Sequence, residues 1–295
     1  MRVLLLIATN FAVMLLASAV LSLLGVGPWL TQQGIQVGPL LVIGSVFGFG
    51  GAFFSLAISK WSARRMMGVQ VITAPRDERE AWLVNTVTRL AAAANVGMPE
   101  VGIFESPEPN AFATGASRNH ALVAVSTGLL TQMNRTEVEA VLGHELTHVS
   151  NGDMVTLTLI QGVINTFVFV LSRVIGNLID RLVLRDDGER SRGPGIGYWI
   201  TTIIAQLVLT FLGSLIVMWF SRRREYRADA GGAHLAGRPA MIAALEQLQR
   251  GQQDGLPQKM AALGIAGAGR VSGLQRLLLT HPPLEERIAA LRAGS

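Results

Sequence analysis

The sequence predicts a mainly α-helical membrane protein, in which four hydrophobic spans anchor a cytoplasmic α+β domain that carries a small β-sheet. Three observations predict this class. Of the 295 residues, 50% are hydrophobic and only 15% are charged, whereas an average soluble protein has about 25% charged residues. Long runs contain no charged residue at all, and about 20 apolar residues suffice to cross a bilayer. The polar segments between these runs show helical and strand-like periodicities.

The N-terminal part of the chain contains no charged residue from position 3 to position 59, which leaves room for two spans and a turn. We place the spans at Val3–Val26 and Gly38–Ser59. The alternative for the first span is a cleaved signal peptide, because Ala17–Ala19 resembles a cleavage site. That site lies inside the apolar run and a second run follows it, so an uncleaved anchor is favoured.

Two further charge-free runs, Met154–Ser172 and Gly193–Ser221, complete the set of four. Basic residues follow the second and the fourth run, so the positive-inside rule places the N-terminus and both polar segments in the cytoplasm. The loop between the last two runs carries five arginines, which is unfavourable outside the cytoplasm. A second topology therefore remains an alternative, in which these two runs form a hairpin that does not fully cross the membrane. Both topologies leave the two flanks of the hairpin on the same side.

Within the second span, Gly44 and Gly48 form a small-xxx-small face that predicts close packing against another helix of this chain. The polar segments predict several short elements. These are helices at Asp77–Val96, from an Asn134/Glu137 capping box to about Ser150, at Pro239–Arg250 and at Leu284–Arg292, strands at Val101–Phe104 and Ala121–Ser126, and a possible third strand at Asn110–Gly115.

Composition also limits the chemistry. The chain has no cysteine, so a metal site must use His, Glu or Asp, and thiol chemistry is excluded. The net charge is +5, which in a membrane protein is typical of a cytoplasmic face near anionic lipid. No basic and aromatic surface pattern indicates nucleic-acid binding. We therefore expect the lipid bilayer, and no nucleic acid, as a partner.

The capped helix contains the pattern His144-Glu145-Leu-Thr-His148. Two histidines at i and i+4 lie on one helical face, so both imidazoles can reach one metal ion. Glu145 lies beside them and can contact a metal-bound water. The pattern is typical of zinc proteases, in which zinc lowers the pKa of the water that attacks the peptide and the glutamate acts as general base. The alternative is that the pentapeptide occurs by chance. The chain has only five histidines, and two of them fall in this motif, which makes chance less favourable.

A catalytic zinc site needs a third protein ligand. No histidine follows the motif closely, so we expect a carboxylate, and Glu225 is the best candidate. Asp229, one turn later, would then accept the ring N–H of a ligating histidine. The alternative is a charged juxtamembrane helix, in which these acids only pair with neighbouring arginines. His234 is a weaker metal candidate.

Four motifs resemble the HtpX family of bacterial membrane metalloproteases, which is related to the CAAX prenyl endoproteases. The similarity extends over nearly the whole chain, including the leading spans and the hydrophobic hairpin. The motifs are Asn110-Ala-Phe-Ala-Thr-Gly115, His144-Glu-x-x-His148 with Asn151-Gly152-Asp153, Ser221-Arg-Arg-Arg-Glu225-Tyr-Arg-Ala-Asp229 and His281-Pro-Pro-Leu-Glu-Glu-Arg287.

The resemblance implies a zincin-like endopeptidase of the inner membrane, of the gluzincin type, with several spans and a cytoplasmic catalytic domain. It implies one Zn²⁺ per chain, held by His144, His148 and Glu225, with Asp229 orienting His144. The family role is quality control, so the implied substrates are misfolded or damaged membrane proteins. The oligomeric state stays open.

The resemblance also implies a substrate site. The segment Asn110, Ala111 and Phe112 would form an edge strand beside the active site, to which a substrate peptide adds through main-chain hydrogen bonds. His281 and Arg287 would make substrate or oxyanion contacts. Their alternative roles are helix capping and a surface ion pair with a neighbouring glutamate.

These expectations divide the chain into four segments. They are two N-terminal transmembrane helices (1–59), a first part of the catalytic domain (60–153), a hydrophobic hairpin (154–220) and a second part of the catalytic domain (221–295). Two other functions stay open. One is a CAAX-type processing protease, which would need a large intramembrane chamber. The other is a non-catalytic scaffold with a structural zinc, which would not need a general base.

Overall fold

The computed structural model describes residues 36–180, 195–254 and 281–294. The described helices and strands, in chain order, are α1 (Val37–Met67), β1 (Gln70–Val71), α2 (Glu78–Ala93), β2 (Glu100–Phe104), β3 (Ala111–Thr114), β4 (Leu122–Ser126), α3 (Thr127–Gln132), α4 (Arg135–Asn151), α5 (Asp153–Ile179), α6 (Ile196–Ala236), α7 (Arg238–Asp254) and α8 (Leu284–Ala293).

Three of the described helices, α1, α5 and α6, are long and apolar enough to cross a membrane. They overlap the second, third and fourth predicted runs, and each extends past the C-terminal end of its run. The first predicted span, Val3–Val26, and most of the arginine-rich loop lie outside the described residues. Large apolar side chains of α6 are exposed, for example Leu207 at 67% and Phe211 at 55%. Such a surface is compatible with lipid rather than water around this helix.

The chain divides into two compact units. One contains the described residues of Met1–Ser55 and Leu157–Val217. In this unit α1 and α5 pack closely at Gly48. A side chain added there would lie only 2.7 Å from the backbone nitrogen of Thr166. The Thr166 hydroxyl donates a hydrogen bond to the carbonyl oxygen of Gly44, at 3.3 Å. The predicted packing of the Gly44 and Gly48 face within the chain is therefore confirmed.

The second unit contains the described residues of Leu56–Thr156 and Met218–Ser295. It carries a four-stranded mixed sheet in the order β1-β2-β4-β3. Strands β2 and β4 are parallel, whereas β1 and β3 pair antiparallel with β2 and β4 respectively. All five residues of the inner strand β4 are buried. Strand β3 is an edge strand, with β4 as its neighbour in the described part of the chain.

A hydrophobic core on one side of this sheet holds α2, α4, α7 and α8 together. Helix α2 contributes the fully buried side chains Leu83, Val87 and Leu90, which recur at helical spacing. Helix α4 contributes Leu142 and Leu146, both with no exposed area. A helix turns by about 100° per residue, so the two motif histidines lie on the face of α4 nearly opposite to Leu142 and Leu146. The core therefore fixes the rotation of α4 and, with it, the direction in which the two histidines point.

The elements predicted from the polar segments are all present, with ends shifted by at most four residues. Two short elements, β1 and α3, were not predicted. A strand of two residues and a helix of six carry too little periodicity to stand out from the sequence. The small sheet and the mainly helical class are confirmed.

Candidate metal centre

Helix α4 carries the predicted motif, and its ends are defined by local hydrogen bonds. At its start, Asn134 and Glu137 form a reciprocal capping box, with both hydrogen bonds 3.0 Å long. At its end, Gly152 has a φ of 70°, a left-handed conformation that glycine adopts without steric cost. The side chains of His144 and His148 are buried between these ends. Glu145 is half-buried.

Helix α6 carries the two predicted carboxylates, Glu225 and Asp229, and packs very closely against α4. A side chain added at Gly231 would overlap the Thr147 side chain, and one added at Gly232 would lie 3.0 Å from the backbone nitrogen of His144. Only glycine lets the two helices come this close. The contact places Glu225 and Asp229, each 1% exposed, beside the motif histidines.

Replacement of Gly231 by Ala is expected to destabilise this unit by about 1–3 kcal/mol, because the new methyl group overpacks the contact with Thr147. The thermal midpoint of the detergent-solubilised protein should fall by about 2–10 °C. Gly251→Ala is the matched control, since it is also helical and a side chain there would meet its nearest atom at 3.8 Å. Equal midpoints for the two variants would contradict the close approach.

The motif histidines and Glu225 form a group that could hold a metal ion. Each offers one donor atom, and these atoms lie within 4.8 Å of one another. The Nε2 atoms of the two histidines are 3.2 Å apart, and the Glu225 carboxylate oxygens lie 3.4 and 3.5 Å from them. Within the described residues, Glu225 Oε2 is buried and accepts no hydrogen bond of suitable geometry, although His281 Nδ1 lies 2.8 Å away. Such an oxygen is available to a cation.

The other ring nitrogen of His144 faces a second carboxylate. His144 Nδ1 lies 3.0 Å from Asp229 Oδ1. Arg287 in turn binds the carboxylate of Asp229. Its Nε donates to Oδ2 at 2.8 Å, and its Nη2 donates to Oδ1 at 2.6 Å. A bidentate arginine contact fixes the plane of a carboxylate. Asp229 was predicted beside His144, but its contact with Arg287 was not predicted.

Asp153 is a partner of the motif histidines that was not predicted, although it belongs to one of the motifs that carry the resemblance. Its Oδ2 lies 2.7 Å from Nδ1 of His148, and the side chain is buried. Asp153 is the first residue of α5, immediately after the left-handed Gly152. Each histidine of the motif is thus paired with its own carboxylate through Nδ1, which leaves Nε2 directed towards Glu225.

Replacement of Asp153 by Asn is expected to weaken metal binding by about 10–100-fold, because a neutral amide oxygen replaces the charged carboxylate that accepts from His148 and fixes its ring orientation. Competition with a chromophoric chelator measures this affinity. Glu246→Gln is a suitable control, since Glu246 pairs with Arg292 in an exposed contact. An affinity that is unchanged in Asp153→Asn would show that this carboxylate does not orient the histidine.

The charges around the metal-free site favour protonated histidines. Burial alone would lower the pKa of His148, but hydrogen bonds to Asp153 and Glu225 and the charge of Glu145 raise it to about 9. Burial would also lower the pKa of His144, but hydrogen bonds to Asp229 and Glu225 and the charge of Glu145 raise it. Asp229 also raises the pKa of Arg287 despite its burial. A metal ion binding here must therefore displace protons.

Strand β3 lies against α4 and contacts the predicted general base. The N–H of Ala113 donates to Glu145 Oε2 at 3.0 Å. Of the predicted substrate segment, Asn110 exchanges hydrogen bonds with Ser126 of β4. The ring of Phe112 packs against that of Phe104, with centroids 5.5 Å apart and the planes tilted by 42°. A substrate contact of this segment stays a prediction. The contact of Ala113 with Glu145 was not predicted.

The remaining predicted residues lie at and near the start of α8. The side chain of His281 is 63% exposed, and its Nδ1 contacts Glu225. Arg287 is buried; its Nη1 lies 3.7 Å from Glu225 Oε2. A substrate or oxyanion contact of either residue stays a prediction. His234 does not join the metal-binding group in the part of the chain that the structure describes.

Comparison with known sequences identifies similar proteins along the entire length of the chain. "Protease HtpX homolog" of Thiobacillus denitrificans is 59% identical over 292 residues, which cover 99% of each protein. "Protease HtpX" of Nitrosococcus oceani is 59% identical over 294 residues, which cover 99% of this chain and 98% of the relative. "Protease HtpX" of Xanthomonas campestris pv. campestris is 56% identical over 295 residues. The resemblance stated from the sequence motifs is confirmed.

The fold is similar to the crystal structure of S. mikatae Ste24p, with a TM-score of 0.63 at 18% sequence identity. The match covers 97% of this chain and 67% of that one. The model of peptidase family M48 matches residues 77–295, which include every residue of the candidate metal centre. The chain therefore belongs to peptidase family M48 and is a metalloprotease with membrane-spanning helices.

Proposed function

We propose that this protein is a zinc-dependent endopeptidase of the bacterial inner membrane, which cleaves misfolded or damaged membrane proteins at its cytoplasmic face. The observation that carries the proposal is the buried group of His144, His148 and Glu225, with Glu145 on the same helix. Two imidazoles and one carboxylate are a donor set typical of catalytic zinc. Three protein ligands leave a coordination position open for chemistry.

Zinc, when bound, supplies Lewis acidity that activates a water molecule and polarises the peptide carbonyl. The other steps fall to residues of the chain. Glu145 would accept the proton of the attacking water and pass it to the leaving amine. Asp229 and Asp153 would hold His144 and His148 in the tautomer that presents Nε2. Arg287 would keep Asp229 in place through its bidentate contact.

Substrate binding is proposed at the free edge of β3. Within an antiparallel pair, hydrogen-bonded residues alternate with residues whose backbone groups point outward. Asn110 bonds to Ser126, so the backbone groups of Ala111 and Ala113 point away from β4. An extended peptide could add there as a further strand, with affinity from main-chain hydrogen bonds. Such recognition tolerates many side chains, as a quality-control protease requires.

The topology is proposed from charge. Residues 60–153 and 221–295 would form a cytoplasmic catalytic domain, because basic residues follow the second and fourth runs. Residues 1–59 and 154–220 would be membrane segments. Two other functions compete with this one: a non-catalytic scaffold with a structural metal and a processing protease with few substrates. An intact Glu145 in contact with an edge strand favours catalysis over the scaffold.

The experiment compares metal-free protein in lipid nanodiscs before and after one equivalent of zinc, with dye-quenched casein as an unfolded substrate. Zinc should restore cleavage, and a chelator should abolish it again. A folded soluble protein serves as the control substrate and should stay intact. Stoichiometric zinc binding without cleavage of casein or of an unfolded membrane protein would favour the scaffold.

Zinc binding should release about one proton or more at pH 7.5. His148, with a pKa of about 9, is protonated in the metal-free protein at this pH, but it must be neutral to bind zinc. Zinc affinity should therefore rise with pH up to about 9 and fall as the pH drops below that value. Calorimetric titrations in buffers of different ionisation enthalpy measure the released protons. A binding heat that does not depend on the buffer would contradict the raised pKa.

A further inference from the structure

The backbone of strand β3 makes a direct contact with Glu145, the proposed general base. The N–H of Ala113 donates to Oε2 of Glu145 at 3.0 Å. Ala113 pairs with Val123 of β4, but this pair lies between hydrogen-bonded pairs, because Asn110 bonds to Ser126. The Ala113 N–H is thus outside the sheet ladder, and the carboxylate of Glu145 is its acceptor.

This contact gives the two carboxylate oxygens of Glu145 different roles. Oε2 is occupied by the strand, whereas Oε1 accepts no hydrogen bond within the described residues. A general base must present one oxygen within hydrogen-bond reach of the proton it takes. A single bond to Oε2 from a rigid backbone restricts the rotation of the side chain and so fixes the direction of Oε1. Side-chain packing alone would not do this, because Glu145 is only half-buried.

We propose that the main-chain N–H of Ala113 is a positioning group for Glu145: it holds the general base in its working orientation from the strand that would also receive the substrate. This inference rests on the proposed proteolytic function. It assigns Ala113 a role through its backbone, so any residue with an N–H can serve there, and proline alone among the common residues cannot.

The contact between Ala113 and Glu145 also limits how a substrate strand can pair with β3. The N–H of Ala113 is taken by Glu145, so among the outward-pointing N–H groups of β3 only that of Ala111 remains for a substrate carbonyl. Removal of the Ala113 N–H should therefore affect the chemical step, whereas removal of the Ala111 N–H should affect substrate binding. The two alanines lie in equivalent positions of one edge strand, so each serves as a reference for the other.

The test uses the zinc-loaded full chain in nanodiscs with dye-quenched casein, and it compares Ala113→Pro with Ala111→Pro. Proline removes the N–H and also restricts φ to about −65°, and it is tolerated at an edge position whose N–H is outside the ladder. Ala113→Pro should lower kcat about tenfold or more, with KM within about twofold of wild type. Ala111→Pro should instead raise KM. A kcat of Ala113→Pro within about twofold of wild type, at one zinc per chain, overturns the inference.

A second variant decides the question if proline disturbs the fold, as judged by a lower thermal midpoint or lost zinc. Lactic acid incorporated at position 113 by nonsense suppression replaces the N–H by an ester oxygen and keeps the methyl side chain. The same loss of kcat supports the inference, and an unchanged kcat overturns it. Failure of the proposed function looks different, because wild type itself would then leave casein intact.

Discussion

Replacement of Glu145 by Gln should lower kcat for casein by about 10²–10⁴-fold while zinc binding stays at one ion per chain. The amide keeps the size of the carboxylate but cannot take a proton, so general-base catalysis is lost. The variant retains the three proposed ligands, His144, His148 and Glu225. Quenched-casein hydrolysis and elemental analysis of the same preparation measure both properties.

Glu139→Gln is the matched control for this variant. Glu139 lies on the same helix, but its carboxylate pairs with Arg89 and takes no part in the site. This control should cleave casein at the rate of wild type. If Glu145→Gln retained wild-type activity, the assignment of the general base would be wrong. If wild type and both variants bound zinc and none of them cleaved, the scaffold function would be favoured.

Replacement of Glu225 by Gln should abolish stoichiometric zinc binding, with an affinity loss of more than about 100-fold. Removal of a partner that only orients a ligand costs about 10–100-fold, and removal of a ligand should cost more. The carboxylate is 1% exposed, so water replaces it poorly. Zinc competition assays on wild type, Glu225→Gln and Asp229→Asn give the order of affinities directly.

The order of these affinities separates two roles for the acids of α6. If Glu225 is a ligand and Asp229 orients His144, Glu225→Gln should bind zinc more weakly than Asp229→Asn. If the acids only form ion pairs with arginines of a juxtamembrane helix, both variants should bind zinc like wild type. His281→Ala provides a further comparison, because His281 contacts Glu225 but is not a proposed ligand. It should retain one zinc per chain.

The sequence by itself determined the features that depend on local geometry. Two histidines at i and i+4 must lie on one helical face, and the capping box and the left-handed Gly152 are determined by neighbouring residues. The long charge-free runs likewise determine three helices that are able to span a membrane, because length and hydrophobicity are properties of the chain alone. The elements of the polar segments follow from their periodicity.

The motifs predicted Glu225 and Asp229 beside these histidines, but only the tertiary structure decided how these distant groups reach them and which further groups join. Glu225 reaches His144 because glycines 231 and 232 allow α6 to approach α4 closely, and no local periodicity encodes that distance. Asp153 contacts His148 directly after the left-handed Gly152, which ends α4. The contact of Ala113 with Glu145 depends on the register of β3, which exposes every second backbone N–H. A backbone group carries no side-chain signature, so no motif could have indicated this contact.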